Sequence, residues 1–178
     1  MISHRLIASP LGDILLRADG ARLTGAYFSG QKYHPAGVVP TAAPPAVSAR
    51  LFEQAADELA DYFRAGAPRF TVPLGLVGSP FQRRVWQALL AIAPGSTRTY
   101  GEIARELGLA AGHARAVGGA VGRNPLSVLV PCHRVLGADG SLTGYAGGVE
   151  RKRFLLRLEA DAVATRSPRL HAAALAAA

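Results

Sequence analysis

Short apolar runs separated by turn residues dominate the first part of the chain. Residues 2–7, 14–18 and 23–28 are rich in Ile, Leu and aromatic side chains, with Pro10-Leu11-Gly12 and Asp19-Gly20 between them. Runs of that length broken by Gly and Pro predict a three-stranded antiparallel meander. Residues 29–45 gather Pro, Gly and Ala without periodicity and predict a loop. Leu51, Ala55, Leu59 and Phe63, with Phe52 and Tyr62 beside them, then recur at helical spacing until Gly66 and Pro68 stop the pattern. Residues 69–74 alternate and predict a further strand. These elements predict a small α/β N-terminal domain, an antiparallel sheet plus a helix, over residues 1–78. The Gly-containing link at 75–78 marks its boundary.

The pattern changes to helical spacing beyond that link. Ser79-Pro80 offers a cap followed by Pro at the first helical position, and Phe81, Val85 and Leu89 with Trp86 and Leu90 form an apolar stripe. Trp86 therefore belongs to a core. Thr99 followed by Glu102 has capping-box spacing and opens a helix through Ile103 and Leu107 to Gly108. A second helix over 112–121 follows a tight turn, and the pair has the length and intervening Gly of a helix-turn-helix. Small residues crowd this second helix: Gly112, Ala114, Ala116, Gly118, Gly119 and Ala120. They admit the close approach of another backbone, whether a neighbouring helix or a bound partner. Residues 126–130 are a short apolar run leading to Cys132, 138–140 a turn, and 144–148 a Gly-rich loop. Phe154, Leu155 and Leu158 mark a final helix ending near Glu159. The expected organisation is a mainly α C-terminal domain over 79–160 and a disordered or frayed Ala-rich tail over 161–178.

Charge separates the two halves further. Residues 1–78 carry seven Lys or Arg against six Asp or Glu, whereas residues 79–178 carry thirteen against six. All but two of the basic residues are Arg, which suits bidentate contact with phosphate. A half with a +7 excess points to a polyanionic partner, although an Arg-rich coding bias would leave the same trace. The single cysteine excludes a disulfide framework within a monomer, and no Cys or His spacing suggests a metal site. No stretch of 18 apolar residues and no apolar leader segment is present, so a soluble cytoplasmic protein with no membrane association is expected.

That cysteine sits in Val130-Pro131-Cys132-His133-Arg134-Val135, beside both an imidazole and a guanidinium. A thiol becomes nucleophilic on ionising, which neighbouring positive charge favours. A lone Cys among Val, Leu and Pro is equally compatible with an inert buried side chain. The whole run resembles the acceptor-cysteine signature of the methylated-DNA–protein-cysteine methyltransferases, the O6-alkylguanine-DNA alkyltransferases. The resemblance extends through Tyr100, the run from Ala114 to Gly119, Asn124-Pro125, Gly144-Tyr145 and Glu159, strongly over the C-terminal half and weakly over the N-terminal half.

The resemblance implies a monomeric, cofactor-free suicide enzyme acting on double-stranded DNA. It would transfer the alkyl group of O6-alkylguanine, and of O4-alkylthymine, irreversibly to Cys132 after flipping the nucleotide out of the stack. Adjacent residues of a strand face opposite ways, so a turn or a bridging molecule must connect Cys132 and His133. The family's connection is a water, with Glu159 orienting His133. Asn124 would pin the acceptor turn, Arg115 fill the vacated stack, and Tyr100 crowd the backbone phosphate and bond the flipped base. Ala114 and Gly118 would lie in the minor groove. His113 departs from the small residues usual at its position, and contact with a phosphate or with solvent are both open to it. Tyr145, Ala146, Gly147 and the carbonyl of Val135 would surround the base and its alkyl group. A lesion-binding relative without the cysteine, a helix-turn-helix regulator and a cysteine hydrolase are weaker alternatives. Cys132 counts against the first, the lack of a zinc-binding or second DNA-reading domain against the second, and the lack of an oxyanion-hole motif against the third.

The basic half carries an expected outcome. Affinity for duplex DNA should fall linearly on a plot of log K against log salt concentration, with little dependence on base sequence. A flat plot in a titration by fluorescence anisotropy would contradict phosphate contact.

Overall fold

The computed structural model describes the backbone of residues 1–66 and 69–176. Side chains are described for those residues up to 165, apart from Ala111. The three expected strands form one antiparallel sheet in the order β1 (Ile2–Ile7), β2 (Ile14–Asp19), β3 (Arg22–Phe28). Its register runs from Ile2 opposite Asp19 to Ile7 opposite Ile14, with a bulge between Arg17 and Ala18 on the β3 side of β2. Helix α1 (Ala46–Ala65) covers the sheet with Leu51, Phe52, Ala55, Leu59 and Tyr62, the residues whose helical spacing predicted it. It ends at Gly66, whose φ of 70° lets its N–H bond the Tyr62 carbonyl at 2.7 Å.

The strand expected over 69–74 does not form. Leu74 makes only an isolated parallel bridge to Leu23, through Leu23 N–H to the Pro73 carbonyl and Gly75 N–H to the Leu23 carbonyl, both 2.8 Å. Pro73 has no N–H to extend a ladder. The neighbouring amides of Thr71 and Val72 are instead taken by the Glu58 carboxylate, at 3.0 and 3.1 Å.

The capping box expected at Thr99 is present, and the cap expected at Ser79 proves to be a second capping box. Ser79 and Gln82 cap α2 (Pro80–Leu90), and Thr99 and Glu102 cap α3 (Tyr100–Glu106). After α3 the chain turns through a 3-10 segment (Ala111–His113) into α4 (Ala114–Gly122), which packs on both α2 and α3. Trp86 is a core residue as expected, its Nε1 donating to the Ala120 carbonyl at 2.9 Å. A minimal parallel pair, β4 (Arg98–Thr99) and β5 (Val135–Leu136), links the start of α3 to the residues after Cys132. The free edge of β3 joins the two halves. Ala26 N–H bonds the Pro125 carbonyl at 2.8 Å, Ser127 N–H bonds the Ala26 carbonyl at 2.9 Å, and one continuous buried cluster contains residues from both sides of the 75–78 link.

The last helix, α5 (Val149–Ala176), does not end near Glu159. Residues 161–165 continue it, with Ala162 against Gly66 and Val163 against Gly95, so this part of the expected frayed tail is ordered by packing. The remainder of that expectation falls outside the described side chains. No described helix is long and apolar enough to cross a membrane.

The contact at Gly66 gives a stability prediction. A Cβ there would collide with the Leu158 carbonyl and lie 2.8 Å from the Ala162 methyl, in a backbone conformation that side chains disfavour. Gly66→Ala should lose more than about 1 kcal/mol in equilibrium urea unfolding. A variant as stable as its parent would show that α1 and α5 do not meet this closely in solution.

Candidate active site

Cys132 is delivered by a segment with little regular structure. After α4, the Asn124 side chain takes the place of a partner strand. Its Oδ1 accepts the Leu126 N–H at 3.0 Å, and its Nδ2 donates to the carbonyls of Val130 at 2.9 Å and Leu126 at 3.3 Å. The same nitrogen lies 3.0 Å from the Cys132 sulfur. Val128 adopts φ 71°, a conformation that β-branched residues rarely accept. The chain then enters a 3-10 turn (Cys132–Arg134), with Arg134 N–H bonded to the Pro131 carbonyl at 3.0 Å. The turn replaces strand alternation: Cys132, His133 and Arg134 are all buried, the last two around one centre.

That centre is the carboxylate of Glu159 on α5. His133 Nε2 lies 2.8 Å from Oε1, and Tyr62 of α1 donates its hydroxyl to the same oxygen at 2.7 Å. Arg134 grips both oxygens, Nη2 to Oε1 and Nε to Oε2, each at 2.8 Å, while its Nη1 donates to the Ile92 carbonyl. Gly95 N–H completes the set at 3.1 Å from Oε2. Burial opposes the charge of this carboxylate, but bonds from His133 and Arg134, and their charges, hold its pKa at about 2. A carboxylate can only accept, so Nε2 of His133 carries the hydrogen and Nδ1 is the free lone pair of the neutral ring. Burial, helped by the Arg134 and Lys152 charges, outweighs Glu159 and lowers the His133 pKa. Nδ1 is buried with no hydrogen-bond partner among the described residues.

The thiol is held in its protonated form. Burial pushes its pKa up to about 11, against the opposing influence of the Asn124 N–H and the Lys152 charge. Lys152 is itself buried, its Nζ donating to the Val135 carbonyl at 2.5 Å and the Thr143 carbonyl at 2.9 Å. Desolvation brings its pKa down to about 8, with the cysteine acting in the opposite direction. Tyr145 is buried edge-on to His133, ring centroids 6.4 Å apart, and burial followed by the nearby Cys132 holds its hydroxyl un-ionised.

Of the residues expected from sequence, Cys132, His133, Asn124, Glu159 and Tyr145 converge. Tyr100 stands beside them, its hydroxyl donating to the Thr143 carbonyl at 2.9 Å and its ring 3.7 Å from a Cβ built on Gly118. It shares a cavity of about 570 Å³ with Arg105, Ala114, Arg115, Gly118 and Gly144. Arg115 is exposed with no hydrogen bond or ion pair among the described residues. His113 is also exposed, and its Nδ1 sits 3.1 Å from the Ala110 carbonyl, within the turn before α4. The Val135 carbonyl is already engaged by Lys152. Ala146 lines a second cavity, but Gly147, expected on the same wall, does not: a Cβ there would lie 2.5 Å from the Tyr145 ring. The tyrosine occupies the space left by the missing side chain.

Arg134, Lys152 and Tyr62 were not anticipated as site residues. Arg134 lies within the motif, where its guanidinium is expected to favour the thiolate, but its bonds go to Glu159 instead. Lys152 is the only lysine among the thirteen basic residues of 79–178, which is the one sequence signal that sets it apart. Tyr62 fits the apolar stripe of α1, and nothing local reveals its hydroxyl's partner. Among the described residues no cluster of His, Cys, Asp or Glu could hold a metal ion.

Comparison with known proteins places this geometry in context. Residues 80–161 match the family model for the 6-O-methylguanine DNA methyltransferase DNA-binding domain, and residues 2–76 that for the ribonuclease-like domain of the same enzymes. A methylated-DNA–protein-cysteine methyltransferase of Mycobacterium bovis is 50% identical over 159 residues, covering 89% of this chain and 93% of the relative. One from Mycobacterium leprae is 47% identical over 167 residues, covering 93% and 96%. The crystal structure of a Mycobacterium tuberculosis OGT in complex with DNA superposes with a TM-score of 0.77 at 48% identity, covering 89% of this chain and 93% of that one.

The Glu159 cluster predicts a pH dependence. A carboxyl depressed to about 2 in the folded state, against about 4.3 in an unfolded chain, contributes stability that is complete above pH 5. That contribution is lost as pH falls from about 4 toward 2. Glu159→Gln should be less stable than the parent at pH 7 by roughly 3 kcal/mol, because Arg134 is left buried without its counter-charge. It should also lose less stability on acidification. Parallel acid-unfolding curves for the two proteins would contradict this.

Proposed function

Because the chain belongs to the methylated-DNA–protein-cysteine methyltransferase family, we propose that Cys132 is the acceptor to which it transfers the alkyl group of O6-alkylguanine. The protein is a methyltransferase acting in direct-reversal DNA repair. The observation that carries the assignment of Cys132 is its position in the 3-10 turn, next to a histidine whose Nε2 is committed to Glu159. The remaining lone pair of His133 is left to take a proton from the sulfur side.

The thiol starts protonated, so its activation is the first requirement. The proton passes from Cys132 through a water to Nδ1 of His133, and Glu159 stabilises the resulting imidazolium. The Lys152 charge and the Asn124 N–H lower the cost of the thiolate. The sulfur then attacks the alkyl carbon in line with the C–O6 bond. An S–C bond forms, the C–O6 bond breaks with its electron pair passing to guanine, and the base takes up one proton to balance the one released by the thiol. The products are guanine and an S-alkyl cysteine. A thioether is not reversed by proton transfer, so each molecule acts once.

The target atom lies inside a stacked duplex and must be extruded to reach a buried sulfur. Arg115 is exposed and lacks a partner among the described residues, which suits insertion into the vacated stack. Ala114 and Gly118 allow the close approach of α4 to the minor groove, and Tyr100 at the mouth of the cavity meets the backbone phosphate and the base. Tyr145 receives the guanine edge, and the Val135 carbonyl, which already accepts from Lys152, offers it its second lone pair. The protein acts as a monomer, without a cofactor, in the cytoplasm.

Intact-protein mass spectrometry after incubation with duplex DNA containing O6-methylguanine tests the assignment. One methyl group should appear on Cys132, one per molecule, with no further transfer when fresh DNA is added. Cys132→Ala should acquire none while still binding the duplex. A methyl group on another residue, or repeated turnover, would overturn Cys132 as terminal acceptor.

A further inference from the structure

We infer that Tyr33, carried by a strap of the N-terminal half, is a specificity-determining residue that limits the size of the alkyl group the protein accepts. The inference rests on Cys132 being the alkyl acceptor. The strap is the start of the loop after β3, and two hydrogen bonds tie it to opposite sides of the site. Gln31 is buried and its Oε1 accepts both the Phe28 N–H at 2.9 Å and the Ser127 hydroxyl at 3.0 Å, joining the strap to the segment that leads into Cys132. Lys32 N–H donates to the Ala146 carbonyl at 3.0 Å, joining it to the loop beside Tyr145.

Tyr33 follows with φ 63°, a left-handed conformation uncommon for a residue with a side chain. Two cations hold its ring: Lys32 Nζ lies 5.2 Å and the Arg123 guanidinium 5.7 Å from the centroid. Arg123 caps the C-terminal end of α4, so the ring spans from the strap to that helix. It does so along the side of a cavity of about 350 Å³ that also borders Gly119, Gly122, Tyr145 and Ala146.

Most of these walls present little side-chain bulk: two glycines contribute none and Ala146 a methyl. Tyr145 is large but buried against His133. Tyr33 is 51% exposed, and its ring is the one aromatic side chain besides Tyr145 on a cavity whose other bulky walls are Lys32, Arg123 and Val149. The cavity adjoins the one that holds Tyr100 and Arg115, since Gly118 and Gly144 border both, and an alkyl group longer than methyl that extends from Cys132 past Tyr145 into it would meet Tyr33. The N-terminal half therefore contributes a wall to the alkyl pocket, in addition to the Tyr62 hydroxyl at Glu159.

The test compares rates of benzyl and methyl transfer from duplexes containing O6-benzylguanine or O6-methylguanine, using the full-length protein. Tyr33→Ala should raise the ratio of benzyl to methyl transfer by about tenfold, the scale on which pocket contacts discriminate apolar groups. Tyr33→Gly suits the observed backbone conformation and should raise the ratio equally, which separates lost bulk from altered strain. Tyr33→Phe keeps the ring and should keep the parent ratio. An unchanged ratio in the Ala and Gly variants, with methyl transfer detected, would overturn the inference alone. An equal fall in both rates would overturn it in favour of a part in DNA binding or folding. Failure of the parent protein to take up methyl at Cys132 would overturn the functional assignment and the inference with it.

Discussion

A single buried carboxylate holds the site together. Glu159 accepts bonds from the imidazole of His133, the guanidinium of Arg134, the hydroxyl of Tyr62 and the amide of Gly95. Those donors come from α1, the loop after α2 and the acceptor turn, while the carboxylate comes from α5. An unpaired charge at that depth would be costly, so the four segments are held in register by the requirement to satisfy it. The geometry that poises His133 also anchors the last helix to the rest of the chain. The bonds that orient His133 and those that anchor α5 are here the same.

The electrostatics of the thiol follow from the same burial. A protonated sulfur, its pKa near 11, is poorly reactive toward adventitious electrophiles. The groups that favour the thiolate are already in place: Lys152 with a pKa lowered to about 8, the Asn124 amide and the neutral His133.

Backbone strain is concentrated around this centre. The two residues other than glycine with positive φ among those described are Tyr33 and Val128, one on the strap and one on the approach to Cys132. Each is fixed by its surroundings, Tyr33 between Lys32 and Arg123, and Val128 within the segment clamped by Asn124. Strained conformations persist where tertiary contacts over-determine them. Val128 follows the residues bonded to Ala26, and Tyr33 follows Gln31, whose side chain bonds Ser127.

Local chemistry was legible in the sequence. The meander followed from apolar runs and turn residues, the caps of α2 and α3 from Ser79-Pro80 and from Thr99 with Glu102, and the candidate reactive centre is marked by Pro131-Cys132-His133-Arg134. Each signal is carried by neighbours in the chain, which interact whatever the rest of the molecule does. The resemblance to a known family supplied the distant pairing of His133 with Glu159, which no spacing rule would give. The alternation of residues 69–74 misled because Pro73 and Glu58 intercept the bonds a strand needs, and α5 outran its expected end because Gly66 and Gly95 admit Ala162 and Val163. The partners of Arg134 and Tyr62, the burial of Lys152, the filling of Gly147 by Tyr145 and the strap at Tyr33 were decided by tertiary structure alone. In every case the deciding contact joins residues remote in sequence or depends on a path of the backbone that local patterns do not fix. A sequence declares which groups are available for chemistry, and the folded chain determines which of them share a buried space.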